Sequence, residues 1–292
     1  VCESEGVKPS VGNRSPLRIA ALLLMLMLVA AMVGCASSHP SKATQPKAIE
    51  SAARSPLYSA IASRAPAAAG ALAGKVVGID PGHNGDNYTD PAYIDRTIWN
   101  GREEETCDTT GTETDGGYTE ARFNFDVASF LAADLRREGA KVVLTRANNV
   151  GVGPCVTRRS RILNSAHVAV AVDIHADGGP ANGRGFTILE PVADGPNDHV
   201  IAASERFGRD LLDRYERLTG MPVSTYDGVD GISFRDNLAG LNLTTVPKVL
   251  IECGNMRNPT DAALLVRESF QRSAARAIDA AIVEYLGRAG PG

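Results

Sequence analysis

The run Val168-Ala169-Val170-Ala171-Val172-Asp173-Ile174 is strand-like and ends on His175-Ala176-Asp177-Gly178-Gly179. Two other apolar runs end in the same manner. Lys75-Val76-Val77-Gly78-Ile79 meets Asp80-Pro81-Gly82-His83, and Val246-Pro247-Lys248-Val249-Leu250-Ile251 meets Glu252-Cys253-Gly254-Asn255. Short apolar runs bounded by Gly and Pro suit buried strands. In open α/β sheets ligands bind outside the carboxyl ends of the strands, so His83, His175 and Glu252 are placed to share one crevice. Two imidazoles and a carboxylate gathered there suit a zinc hydrolase.

Outward from these runs the pattern alternates. A long polar segment, 84–119, follows the first strand, and loops of that length in compact domains are usually functional. A helix starts near Glu120, with Phe123, Val127, Phe130, Leu131 and Leu135 at helical spacing and Gly139 as its stop. Residues 141–145 read as a second strand, 156–164 as a short helix and 185–190 as another strand. Residues 197–218 form a long helix, 221–245 are irregular, and two helices follow Asn258-Pro259-Thr260. Strands alternating with helices predict an α/β fold: a single domain with a twisted, mainly parallel central sheet flanked by helices, its metal crevice at the C-terminal edge of the strands.

The first 74 residues differ in kind. Arg14 and Arg18 precede an uncharged apolar stretch, 19–33, which meets Gly34-Cys35-Ala36. A basic n-region, a short apolar region and small residues at the break read as a secretory signal over 1–35, with a non-cleaved anchor as the alternative. Met32-Val33-Gly34-Cys35 resembles a bacterial lipoprotein box, which makes Cys35 a candidate for lipidation, although leucine is usual where Met32 stands. Residues 36–74 are rich in Ala, Ser and Pro and read as a tether. The folded domain is expected over 75–287, with a short tail at 288–292. The chain after residue 74 carries 23 basic against 31 acidic side chains. That balance argues against nucleic-acid binding, which needs a basic footprint. Membrane association is expected only through a lipid anchor or the signal segment, on the outer face of the cytoplasmic membrane, with secretion as the alternative. A monomer is the expected state.

Export changes how the cysteines read. Cys107 and Cys155 lie in polar, Gly/Thr-rich loops, whereas Cys253 directly follows a buried-looking strand and suits a small core position. In an oxidising compartment the first two are expected to pair.

Topology also sorts the histidines. His39 falls in the tether, His199 opens a solvent-facing helix, and His167 stands at the wrong end of its strand. A catalytic zinc commonly takes three protein ligands, so a third is needed beside His83 and His175. Glu120 is the best offer, at the start of the helix after the long loop. A helix N-terminal glutamate is also stabilised by the macrodipole without any metal, and both readings stay open. Glu252 closes a run too apolar for an unpartnered carboxylate. Either it pairs with a nearby arginine, or it works as acid and base beside a metal. Alternation along the strand sends Cys253 to the opposite face.

With these residues in view, the chain resembles the zinc-dependent N-acetylmuramoyl-L-alanine amidases over about 75–287. The resemblance is carried by Asp80-Pro81-Gly82-His83, by Glu120 with Asn124 one turn on, by Ile174-His175-Ala176-Asp177 and by Glu252-Cys253-Gly254-Asn255. It is closest to the compact mycobacterial and actinobacterial members, through His83-Asn84-Gly85, Ala176-Asp177-Gly178-Gly179-Pro180 and Leu238-Ala239-Gly240-Leu241-Asn242-Leu243. The resemblance implies one zinc ion held by His83, Glu120 and His175, with Glu252 as the catalytic acid/base. It implies a Cys107–Cys155 bridge and a peptidoglycan or muropeptide substrate. Asp177 departs from the Asn of many members, and Cys253 interrupts a segment usually aliphatic or small. Two other readings compete: another zinc peptidoglycan peptidase, and a non-catalytic envelope-binding module. A His-Glu-x-x-His helix, a Gly-x-Ser-x-Gly elbow and a P-loop are all absent from the sequence.

Overall fold

A computed structural model of the chain describes residues 70–193 and 195–288. The expected signal segment, Cys35 and most of the expected tether lie outside the described residues, as do residues from 289 onward. Fifteen elements follow in order: β1 (Val76–Pro81), α1 (Pro91–Ile94), β2 (Thr97–Trp99), β3 (Glu104–Thr106), α2 (Glu120–Arg137), β4 (Lys141–Leu144), α3 (Val156–Ser165), β5 (Val170–Asp177), β6 (Thr187–Pro191), α4 (Ile201–Thr219), β7 (Ile232–Arg235), α5 (Ala239–Asn242), β8 (Lys248–Asn255), α6 (Pro259–Leu265) and α7 (Glu268–Arg288).

Six strands form one sheet in the order β4-β1-β5-β8-β6-β7. The β4-β1-β5-β8 half is parallel, β6 runs antiparallel to β8, and β7 is parallel to β6. Alternation then decides what each face buries. Val77 and Ile79 of β1, Val170, Val172 and Ile174 of β5, and Val249, Ile251 and Cys253 of β8 join one large apolar cluster with residues of α2, α4 and α7. Cys253 is thus a core residue, as its position in the strand predicts. The opposite face is covered more thinly. Leu163, Val168, Ala171 and Val246 form a small cluster under α3, and Leu189, Leu241 and Leu250 form another at α5. Among the described residues no helix is long and apolar enough to cross a membrane.

Several boundaries move from their sequence-based positions. β5 begins two residues late, because His167 sits at φ +47° in the turn that ends α3. Both β5 and β8 run on past their apolar stretches, so His175 and Glu252 are strand residues rather than the first residues of loops. Ladder pairing is a backbone property and does not stop where apolar side chains stop. The segment 221–245, expected to be irregular, contains the edge strand β7 and the single turn α5. Both elements are too short for a periodic signal. The long polar segment holds α1 and the hairpin β2–β3 for the same reason. Leu72, ahead of the first strand, is fully buried in the large cluster.

Candidate metal centre and active site

The three candidate ligands come from three elements, and local backbone geometry brings each one in. After β1 the chain stays paired for one more residue: the Gly82 amide donates to the Ile174 carbonyl at 3.0 Å, which sets residue 83 beside β5. A Cβ at position 82 would lie 2.2 Å from the His175 ring, so only glycine allows that ring to pack there. His83 itself adopts φ +57°, an uncommon conformation for a non-glycine residue and one that collects at functional sites. Glu120 is the first residue of α2, and its Oε2 accepts from the Thr112 amide at 2.9 Å.

Glu120 Oε1 is where the site converges. It lies 2.8 Å from His175 Nδ1 and 3.2 Å from His83 Nε2. The two imidazoles meet edge to face with centroids 4.8 Å apart. One ligand atom from each of His83, Glu120 and His175 falls within 4.8 Å of the others, the only such group of metal-capable side chains among the described residues. Glu120 therefore does more than cap a helix.

The electrostatics ask for positive charge between these groups. Burial opposes the charged form of each ring and of the carboxylate, yet their mutual attraction wins. His83 is raised to about 9, chiefly by Glu120 once burial has been overcome, with Asp108 adding. His175 is raised well above the usual imidazole range by Asp173 and Glu120, against burial. Glu120 is held well below the usual carboxylate range by His83 and His175, again against burial. A cation shared by all three would take the place of those protons.

Glu252 is the register partner of His175 across β5 and β8, which puts its side chain on the same face of the sheet. Its Oε2 is buried and has no hydrogen-bond partner. Burial, with Glu120 and Asp177 adding, pushes Glu252 up to about 8 despite the opposing pull of His175 and His83. No arginine pairs with it in the described contacts, so the ion-pair alternative for this carboxylate is not what the fold builds. A cavity of about 240 Å³ opens beside His83 and His175, walled by Val156, Leu238, Leu241 and Leu250.

Comparison with known proteins agrees with this geometry. A family model described as N-acetylmuramoyl-L-alanine amidase matches residues 77–284. The chain belongs to this amidase family. It is 38% identical over 237 residues to the N-acetylmuramoyl-L-alanine amidase Rv3717 of Mycobacterium tuberculosis, covering 79% of this chain and 94% of that protein. Among solved structures, the amidase Ami1 of Mycobacterium smegmatis is similar with a TM-score of 0.70 at 39% identity, covering 74% of this chain and 99% of the other. The apo form of Ami1 from Mycobacterium abscessus gives a TM-score of 0.69 at 37% identity, over 74% of this chain and all of that one.

The remaining sequence candidates fall into place around this amidase core. His167 and His199 are exposed and away from the centre, while His39 lies outside the described residues. Asn124, one turn after Glu120, donates to the Gly82 carbonyl at 3.2 Å and so ties α2 to the end of β1. Cys107 and Cys155 are buried free thiols close enough for each to shift the other's ionisation. Their loops are polar in sequence, but the thiols themselves are not exposed.

Sequence reading missed two arginines that hold the site's backbone. Arg146 donates to the carbonyls of Pro81, Gly82 and Ala121 at 2.9, 3.1 and 2.7 Å. Arg159 donates to those of Pro81 and His83, both at 2.7 Å. The only available hint was weak: Arg146 follows a strand directly, and Arg159 lies on the short helix α3.

Proposed function

We propose that this chain hydrolyses the amide between the lactyl group of N-acetylmuramic acid and L-alanine in peptidoglycan or its soluble fragments, using one zinc ion held by His83, Glu120 and His175. The observation that carries the reading is Glu120 Oε1 seated between two imidazole nitrogens at 2.8 and 3.2 Å, with Glu252 as the register partner of His175. Two neutral imidazoles and one carboxylate form a donor set suited to catalytic zinc, which keeps a further position open. A structural zinc is normally closed by four protein ligands, so the set also speaks against a purely structural ion.

Zinc held there supplies Lewis-acid polarisation of the scissile carbonyl and a more acidic attacking water. The chain's own contribution is positioning and proton transfer. Glu120 and the two rings are fixed by the ends of β1, β5 and α2, so no reorganisation is needed when substrate arrives. Glu252 accepts the proton of the attacking water and returns it to the L-alanine nitrogen as the C–N bond breaks. Burial already lifts this carboxyl to about 8. A carboxyl whose value lies near the operating pH both takes and gives protons efficiently.

The same reading treats 75–287 as the catalytic domain of an exported envelope protein, lipidated at Cys35 and otherwise monomeric. The proximity of the buried Cys107 and Cys155 thiols supports their oxidation to a disulfide in that compartment. The deciding experiment is digestion of purified muropeptides by the chain after chelator treatment, with and without added zinc. Intact stem peptides with free L-alanine amino termini, formed only when zinc is restored, are expected. Cleavage within the stem would make the chain a peptidase instead, and binding without turnover would make it a module.

A further inference from the structure

Asp80 of β1 and Asp173 of β5 are register partners on neighbouring strands. Like charges placed opposite one another across a ladder are destabilising, so the pair needs a cation. Lys248 of β8 provides it. Its Nζ lies 2.7 Å from Asp80 Oδ2 and 2.9 Å from Asp173 Oδ2, with the side chain 1% exposed. Arg159 of α3 extends the assembly: Nη1 is 3.1 Å from Asp80 Oδ1, and Nη2 is 3.3 Å from Asp108 Oδ2. The Thr145 hydroxyl donates to Asp80 Oδ1 at 2.6 Å. Five buried charges are thus joined on one face of the sheet.

Stability alone is a poor reason for such an assembly. A buried ion-pair cluster is often no more stable than apolar side chains of the same volume. The same three strands bury Val and Ile on their other face without difficulty. What sets this cluster apart is where its ends lie. Asp173 Oδ1 faces His175 Nε2 at 3.3 Å, and Asp108 Oδ1 faces His83 Nδ1 at 3.4 Å. In each ring this is the nitrogen turned away from Glu120, because His175 presents Nδ1 and His83 presents Nε2 to that carboxylate. Asp173 Oδ1 is buried with no hydrogen-bond partner, which leaves an unsatisfied acceptor 3.3 Å from one ring nitrogen.

We infer that Asp173 and Asp108 are positioning residues for the metal centre, cross-braced through Lys248, Asp80 and Arg159, and that they fix the tautomer and ring angle of both imidazoles. The inference rests on His83, Glu120 and His175 being the ligand set. A carboxylate on the outer N–H leaves the inner nitrogen's lone pair free for a cation and raises the ring's basicity. The two ends are unequal. His83 Nδ1 also faces the Thr109 carbonyl and hydroxyl, each at 3.2 Å. Asp173 is therefore the more consequential of the two.

The test is zinc affinity of the chelator-stripped full chain, measured by competition with a chromophoric chelator. The visible spectrum of the cobalt-substituted protein adds a reading of ligand geometry. Asp173→Asn is expected to weaken zinc binding about 10- to 100-fold and to shift the cobalt bands, with a smaller effect for Asp108→Asn. Asp261→Asn serves as the control. This carboxylate is fully buried and accepts from the Gly185 amide at 2.6 Å, outside the network described above. It should lower the melting temperature and leave zinc affinity unchanged. Asp173→Asn leaves Lys248 paired with Asp80 and so is expected to fold. Should it not, the double variant Asp173→Asn/Lys248→Met replaces it under the same criteria. Wild-type zinc affinity and an unaltered cobalt spectrum in the Asp173 variant would overturn the inference alone. Failure of the wild type to bind zinc would overturn the ligand set beneath it.

Discussion

The two faces of the central sheet are built from the same strands and do opposite work. On one face Val172, Ile174, Val249 and Ile251 pack under α2, α4 and α7, where burying each such side chain contributes about 1.5–3 kcal/mol. On the other face the alternating positions hold Asp173, His175, Lys248 and Glu252. The contrast teaches that the apolar face supplies the rigidity and the polar face spends it. A carboxylate buried to the point of being raised to about 8, like Glu252, is tolerable only on a strand already held by its other side.

Chemistry that removes charge from the polar face should break this contrast most strongly. In the metal-free protein both imidazoles hold protons more tightly than a free histidine does, His83 up to about 9 and His175 well above the usual imidazole range. Zinc must displace those protons. Its affinity is therefore expected to fall as pH drops below about 9, by as much as about 100-fold per pH unit where two protons are expelled. Calorimetry in buffers of different ionisation enthalpy should count close to two protons released at pH 7. Release of none would mean the rings do not take the ion.

Next in size, Glu252→Gln should keep zinc and lower turnover by roughly 10²- to 10⁴-fold, the range of general acid–base catalysis. Muropeptide turnover at fixed zinc content checks it, and near-normal activity would move the acid/base role elsewhere. The variant replaces a buried carboxyl that already has an orphaned oxygen, so its melting temperature should not fall.

The neighbouring residue on the apolar face gives the mirror image. Ile251→Ala should cost about 2–5 kcal/mol in denaturant unfolding, with zinc affinity unchanged. A zinc affinity that collapsed together with stability would show that the faces are not separable.

The smallest effect concerns Glu190 of β6, a buried carboxyl that burial, with Glu205 adding and Arg209 opposing, raises to about 7. An acid whose folded value is raised destabilises the fold as pH climbs from the unfolded value near 4.5 to about 7, and the penalty is constant above that. Glu190→Gln is therefore expected to stabilise the protein by about 1–3 kcal/mol at pH 8 and by little at pH 4. Equal effects at both pH values would contradict the shift.

Much of this was legible in the sequence, and for a specific reason. His83, His175 and Glu252 each end an apolar run, and a polar residue at that position stands out against its neighbours. Glu120 was less legible, because a glutamate opening a helix has an ordinary explanation in the macrodipole. What favours the ligand reading is the geometry around its Oε1, 2.8 and 3.2 Å from two imidazole nitrogens. Lys248 and Asp173 sit inside apolar runs and were passed over, since a single charge in a strand does not reveal its partner on the next strand. Arg146 and Arg159 act on backbone carbonyls, which leave no trace in side-chain pattern. The hairpin β2–β3, β7 and α5 escaped because three or four residues are too few to show a period.

The most direct measurement is the anomalous scattering of zinc in crystals of the chain soaked with the ion. The account predicts one strong peak per chain, bonded to His83 Nε2, Glu120 and His175 Nδ1, with the Glu252 carboxyl beside it. A peak elsewhere, or none at that triangle in crystals that diffract well, would contradict it.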